Sequence, residues 1–220
     1  MSSKLKAVIF DLDGLLFNSE PVWSKAYDIF LKKHNTQDKP EYWDEITGMG
    51  LREAVKLMID KFGLKGDPDE LTEDWRRIFC EIFLKEKDVL MLGSRELIKD
   101  AKKQGLSVGL TTGGHTEVMT RKMLKNVGLL SYFDLVVSSD DVQKGKPDSD
   151  VYIYAANKLN LKPGSCLALE DSVNGILAAK AAGMRVFGIN GGKKTRQELK
   201  KAGADKVYRS LSEIRLEDIG

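Results

Sequence analysis

The feature that most limits what this chain can become lies near its start: Ala7-Val8-Ile9-Phe10-Asp11-Leu12-Asp13-Gly14-Leu15-Leu16. Four apolar residues in a row, including types that suit strands, predict a short buried strand over Ala7–Phe10. It runs into two carboxylates one residue apart and then a glycine. Residues i and i+2 of a strand share a face. At a strand end both acids therefore lean toward one point in the crevice beyond the sheet edge, where open α/β sheets place their ligands. Two like charges that close repel unless a cation or a shared proton intervenes. Asp-Leu-Asp-Gly also resembles part of a calcium loop, but such a loop needs further oxygen ligands. Leu15, Leu16 and Phe17 supply none. Taken alone the turn is also compatible with a plain strand-to-loop turn, so the rest of the chain decides.

That rest is 220 residues in all, 42% hydrophobic and 31% charged, enough for one large globular domain or one domain plus an insert. A net charge of +2 carries no signature of nucleic acid or an anionic membrane as a partner. Cys80 and Cys166 lie far apart without metal-like spacing and read as buried thiols of a reducing compartment. Met1–Lys6 lacks the apolar run of a signal peptide, and no stretch is long enough to span a bilayer. A cytoplasmic location is the expectation.

Helical patterns fill residues 18–88: one over 20–34, one near 41–47 ending at Gly48-Met49-Gly50, one carrying Ala54, Leu57, Met58 and Phe62 up to Gly63, and one over 71–86. Ser19 reads as the N-cap of the first, with Pro21 early in it. A βαβ crossover is normally a single helix, so several in a row mean an insertion. From Val89 onward short strands alternate with helices, with strands expected at 106–111, 135–138, 167–169, 185–189 and 204–208. The fold class is α/β, a doubly wound, Rossmann-like parallel sheet formed by 1–17 and 89–220, with a helical domain at 18–88 inserted after the first strand.

Four strand ends then carry chemistry. The first holds Asp11 and Asp13. The second holds Thr112, Gly113 and Gly114, a hydroxyl and exposed amides opening a helix, which suits an anion. After the third comes Lys144-Gly145-Lys146-Pro147-Asp148, a cation source. The fourth holds Glu170 and Asp171, followed by Ser172. In a parallel sheet these ends face one side. Several carboxylates, a lysine and a hydroxyl suit Mg²⁺ with a phosphoryl group, because Mg²⁺ prefers oxygen ligands and often shares substrate phosphate. Singly each has a plainer explanation: a turn, a solvated lysine, or acids favoured at the start of a helix.

Together, Phe10-Asp11-Leu12-Asp13-Gly14-Leu15-Leu16, Leu110-Thr111-Thr112, Gly145-Lys146-Pro147 and Leu169-Glu170-Asp171-Ser172 with Gly175 resemble the four ordered motifs of haloacid dehalogenase-like hydrolases. The closer resemblance is to the branch with a helical cap after the first motif, which includes β-phosphoglucomutase and sugar-phosphate phosphatases. That resemblance implies Asp11 as nucleophile and Asp13 as general acid and base. It implies Mg²⁺ held by Asp11, the Asp13 carbonyl and Asp171, with Glu170 a ligand or its support. Thr112, Gly113, Gly114 and Lys146 would bind the phosphoryl group, with Lys144 the fallback for Lys146. The implied function is a Mg²⁺-dependent phosphatase, acting through an aspartyl-phosphate on a small phosphorylated metabolite, as a monomer.

Trp23 and Arg52 are expected to contact substrate, with Tyr27, Arg76 and Arg77 as further candidates from the helical insert. His34 reads as a surface residue, and His115 as lining the site, capping or exposed. Asn18 stands where many relatives carry an acid, and Ser149 where they often carry proline. Trp23 stands where β-phosphoglucomutase has a histidine, which argues against that mutase. A phosphomutase and a non-catalytic phosphate-binding module remain the alternatives. A receiver-like module would have no use for Asp13 and would lack the helical insert.

Overall fold

The computed structural model describes residues 4–46, 49–190 and 195–218. The chain divides into two units, Met1–Asn18 with Leu90–Gly220, and Ser19–Val89. The first strand, β1 (Ala7–Asp11), is buried along its whole length. Among the described residues, no helix is long and apolar enough to cross a membrane.

The unit Ser19–Val89 holds α1 (Glu20–Lys33), α2 (Pro40–Ile46), α3 (Leu51–Phe62) and α4 (Pro68–Phe83), and none of its described residues lies in a strand. Helices α1 and α4 pack through aromatic rings. Phe30 stacks on Trp75 with ring centroids 5.1 Å apart, and Trp23 lies 4.1 Å from Phe79. Helix α4 starts earlier than the apolar spacing predicts. The Asp67 side chain accepts from the backbone N–H of Asp69 and Glu70 at 2.9 and 3.1 Å, and Pro68 occupies the first turn. Ser19 does stand at the N-cap of α1, yet its side chain makes no capping bond. Pro21, the second helical residue, has no N–H to give, and Ser19 itself adopts a helical rather than extended backbone. The expected end of α2 at Gly48 lies outside the described residues.

The other unit continues with α5 (Ser94–Lys103), β2 (Ser107–Thr112), α6 (Glu117–Asn126), β3 (Leu135–Ser138), α7 (Asp150–Lys158), β4 (Cys166–Glu170), α8 (Val173–Ala181), β5 (Arg185–Ile189), α9 (Arg196–Lys201) and β6 (Lys206–Tyr208). Its six strands form one parallel sheet in the order β3-β2-β1-β4-β5-β6. The fold is therefore α/β and doubly wound. Helices on both faces explain why the strands read as unbroken apolar runs rather than alternating ones. Small residues such as Ala155, Ala156, Ala178 and Ala179 let α7 and α8 approach the sheet beside Ile9, Ala168 and Val186.

Both flanking strands start on the same device. The Asp134 backbone N–H donates to the Val108 carbonyl at 2.8 Å, and its carboxylate accepts from the Val108 N–H at 2.8 Å. Asp205 repeats this with Val186, at 2.8 and 2.7 Å. An aspartate side chain thus takes a ladder bond, and β6 begins at Lys206 rather than at 204. Because β1 has β2 on one side and β4 on the other, the winding reverses there. The crevice beyond the carboxyl ends of these three strands is where such sheets place their ligands.

Candidate active site

Asp11 closes β1, Glu170 closes β4, and Lys146 reaches both from the loop between β3 and α7. Its Nζ lies 2.6 Å from Asp11 Oδ1 and 2.6 Å from Glu170 Oε1. Tyr152, on α7, donates its hydroxyl to the same Oε1 at 2.5 Å, and its ring lies 5.1 Å from the ammonium. Ser172 Oγ donates to Glu170 Oε2 at 3.1 Å while accepting from the Gly175 N–H at 3.0 Å, which caps α8. Glu170 is fully buried, and these donors on both oxygens are what make a buried carboxylate tolerable.

Oxygens of Asp11, Glu170 and Asp171 all lie within 4.8 Å of one another. The electrostatics register the crowding. Burial pushes Asp11 well above the usual carboxylate range, against the opposing pull of Lys146. Burial and then the Glu170 charge raise Asp171 to about 7. Burial alone would lower Lys146, but Asp11 and Glu170 outweigh it and hold its pKa well above the ordinary lysine value. An all-oxygen cluster with excess negative charge fits Mg²⁺. Glu170 already accepts three protein hydrogen bonds, so Asp11 and Asp171 have the freer lone pairs.

Two glycines make room for these acids. Gly14 has φ +83°, and a Cβ there would lie 2.2 Å from Asp171 Oδ2. At Gly175 a Cβ would lie 2.0 Å from the Glu170 carboxyl carbon. Helix propensity alone would make Gly175→Ala stabilising by about 1 kcal/mol. Glu170, held by Lys146, Tyr152 and Ser172, cannot step aside cheaply. Gly175→Ala is therefore expected to lower stability by about 1–3 kcal/mol, the usual range for overpacking. Chemical denaturation would check it, and a stabilised variant would show that Glu170 is free to move.

At the end of β2, Thr112 Oγ1 is buried and makes no hydrogen bond within the protein. Thr111 Oγ1 shares that state, so it is the place of Thr112 at the strand end, beside exposed Gly113, that marks it. Ser139 Oγ, also buried without a protein partner, lies where Cβ atoms on Gly113 and Gly145 would be 3.8 and 3.4 Å from it. Gly113 and Gly114 do not open a helix, as the spacing suggested. The chain bends through them and α6 begins at Glu117, capped by Thr116 Oγ1, which accepts from the Met119 N–H at 3.3 Å. That bend buries His115 completely, so it neither caps nor faces solvent. Its Nε2 lies 3.2 Å from Asp13 Oδ2.

The model of the haloacid dehalogenase-like hydrolase family matches residues 5–183. The chain belongs to that family. Among its relatives is the bifunctional riboflavin kinase/FMN phosphatase of Arabidopsis thaliana, 33% identical over the whole chain, which spans 58% of that protein's length. The phosphorylated carbohydrates phosphatase of Thermotoga maritima is 31% identical across 91% of the chain and 92% of its own length. Among solved structures, CbbY from Rhodobacter sphaeroides in complex with phosphate is similar with a TM-score of 0.83 and 26% identity, covering 95% of this chain and 96% of that one.

In this family member the structure brings Asp11, Lys146, Glu170 and Asp171 together and sets Asp13 against His115. Lys144 is left exposed, 3.8 Å from Asp148. The candidates from the helical unit have partners inside that unit. Arg52 pairs with Asp69. Tyr27 donates to Asp38 at 3.0 Å. Arg76 is buried against Glu73 at 2.6 Å, and Trp23 packs on Phe79 and Trp75. His34 is less of a surface residue than its position at a helix end suggests. Its Nε2 lies 2.9 Å from Asp74, which Lys33 and Arg77 also bind. Burial works against the ionised Asp74, but these three partners outweigh it and bring its pKa down to about 2.

Proposed function

We propose that this hydrolase is a Mg²⁺-dependent phosphatase, acting on a small phosphomonoester such as a sugar phosphate through an aspartyl-phosphate. The observation that carries the reading is the meeting of Asp11, Lys146, Glu170 and Asp171 at the sheet's switch point, with Asp13 two residues beyond Asp11. Phosphatases among its relatives support the same class. An Asp11 oxygen attacks phosphorus, the bond from phosphorus to the ester oxygen breaks, and the leaving oxygen takes the Asp13 proton. Water then attacks the aspartyl-phosphate and gives a proton to Asp13, which frees phosphate and restores both acids. Lys146, the Gly113 amide and the Thr112 hydroxyl hold phosphoryl oxygens as charge moves. Asp11, Asp171 and the Asp13 carbonyl are the ligands we assign to Mg²⁺, with Glu170 supporting them through Lys146. When bound, the ion offsets the repulsion between the attacking carboxylate and the phosphoryl oxygens. Substrate selection we assign to the helical unit Ser19–Val89, with Trp23 and Arg52 as its first candidates, and the working protein to a monomer in the cytoplasm.

The test is phosphate release from a panel of sugar, polyol and nucleotide phosphates with Mg²⁺ or with chelator. Release that requires Mg²⁺ supports the proposal. No release under any condition overturns it, and turnover only after priming with a sugar bisphosphate would make the enzyme a mutase.

Mg²⁺ binding should also depend on pH, with a sign set by Asp171. Its carboxyl, near 7 in the fold against an ordinary value of about 4, holds its proton more tightly folded than unfolded. The stability this contributes is complete below the unfolded value and lost as pH rises through about 7. Mg²⁺ must displace that proton, so its affinity should be about tenfold weaker at pH 6 than at pH 8. Calorimetric titration at the two pH values reads this directly. Equal affinities would remove Asp171 from the ligand set.

A further inference from the structure

We propose that His115 is the positioning residue of Asp13, holding its carboxylate in the orientation from which it passes protons to and from the leaving oxygen; this rests on the phosphatase reading above. His115 Nε2 lies 3.2 Å from Asp13 Oδ2 and 3.4 Å from Oδ1, which places the ring across the carboxylate rather than at its side. An ionised carboxylate can only accept, so Nε2 carries the hydrogen in this contact.

The ring is enclosed, and the backbone that carries it is anchored. Its side chain has no exposure to solvent, while that of Asp13 is 27% exposed. The His115 carbonyl accepts from Ser138 Oγ at 2.7 Å, tying the bend after Gly114 to the end of β3. One residue later Thr116 anchors α6. A buried imidazole needs a partner for its N–H, and the acid this one faces is the one assigned to proton transfer. Asp13 lies beyond the end of β1, outside the ladder that fixes Asp11. Its backbone is tied locally, with an isolated bridge to Phe17. The His115 contact holds the carboxylate in the line of the departing oxygen. With the contact in place, a protonated Asp13 keeps one oxygen on the imidazole and offers its O–H on the other.

The consequence is selective. Esters whose leaving alcohol must be protonated depend on Asp13, and p-nitrophenyl phosphate, whose nitrophenolate leaves without a proton, does not. The experiment measures kcat and KM for wild type, His115→Ala, His115→Gln, Asp13→Asn and the Asp13→Asn/His115→Ala pair. The substrates are p-nitrophenyl phosphate and the best sugar phosphate of the panel, beginning with glucose 6-phosphate. His115→Ala should lose about 10- to 100-fold in kcat on the sugar phosphate, the scale of a misplaced group. It should lose less than about threefold on p-nitrophenyl phosphate, with KM unchanged on both. His115→Gln, which keeps an N–H donor close to the Nε2 position, should recover most of the loss. In the pair, adding His115→Ala to Asp13→Asn should cost nothing further, because two residues acting as a unit are not additive.

Equal losses on both substrates, or a pair whose losses multiply, would overturn the positioning role and leave His115 a packing residue. So would an unchanged rate in a folded His115→Ala. If His115→Ala does not fold, His115→Gln against Asp13→Asn decides: full selectivity retained by Gln supports the role, and equal losses on both substrates overturn it. A wild type inert on every phosphate ester overturns the phosphatase reading itself, a result distinct from all of these.

Discussion

Asp11→Asn should lower Mg²⁺-dependent phosphate release by about 10⁴-fold or more, the scale of removing a nucleophile, without unfolding the protein. Asparagine keeps the shape but is a poor nucleophile toward phosphorus. It also takes one negative charge from a cluster in which burial already pushes Asp11 toward its neutral form. The melting temperature without metal should therefore hold or rise, because Lys146 keeps Glu170 as its remaining carboxylate partner. Phosphate assay and thermal unfolding on the same preparation read both halves. Substantial activity left in a folded Asp11→Asn would move the nucleophile elsewhere.

Lys146→Met should have the larger structural effect. The side chain is 10% exposed and its ammonium lies 2.6 Å from each of two acids. Its pKa is held above the ordinary lysine value, so the stability it adds is complete at neutral pH and fades only at strongly alkaline pH. Removing one partner of a buried ion pair leaves the other charge uncompensated, at a cost of about 3–5 kcal/mol. For a chain of this size that lowers the melting temperature by roughly 10 °C. On the reading proposed above Mg²⁺ would also compensate these acids, so the rise in melting temperature on adding Mg²⁺ should be larger in the variant than in the wild type. Equal rises would show that the lysine and the metal do not share carboxylates. Activity should fall with it, by about 10²–10³-fold for a lost charge-stabilising donor.

The parts of this site that could be read from the sequence are those announced by local chemistry. An apolar run ending in Asp-Leu-Asp-Gly has few interpretations, and the proline after Lys146 singled it out from Lys144. The strand ends fell within a residue or two, since a strand covered on both faces cannot hide a polar residue mid-run. What stayed hidden depends on partners distant in the chain. Tyr152 looks like one more apolar position of α7, and nothing near it names Glu170 as the acceptor of its hydroxyl. His115 left lining, capping and exposure all open because two glycines normally release a chain into a helix, and here they turn a ring inward toward Asp13. Arg76 looked like a substrate contact, and it is buried and paired with Glu73. The late start of β6 depends on Asp205 competing for a ladder bond, an option that side-chain geometry settles and composition does not.

Phe17 pairs across to Leu90, the Met91 N–H donates to the Leu16 carbonyl at 3.0 Å, and Ser94 Oγ donates to the same carbonyl at 3.2 Å. The chain thus returns to within a few ångströms of where it left the sheet after the excursion through Ser19–Val89. For β1 and β2 the long connection behaves as a loop already tied at its neck. The entropy of closing a loop grows only with the logarithm of its length, about 0.6 kcal/mol per doubling. A knot of three short contacts at the neck is enough to offset a change of severalfold in what hangs from it. The core can therefore carry inserts of very different size at this point while Asp11 and its neighbours keep their places, and on the proposed function substrate range would be free to change with the catalytic chemistry held constant.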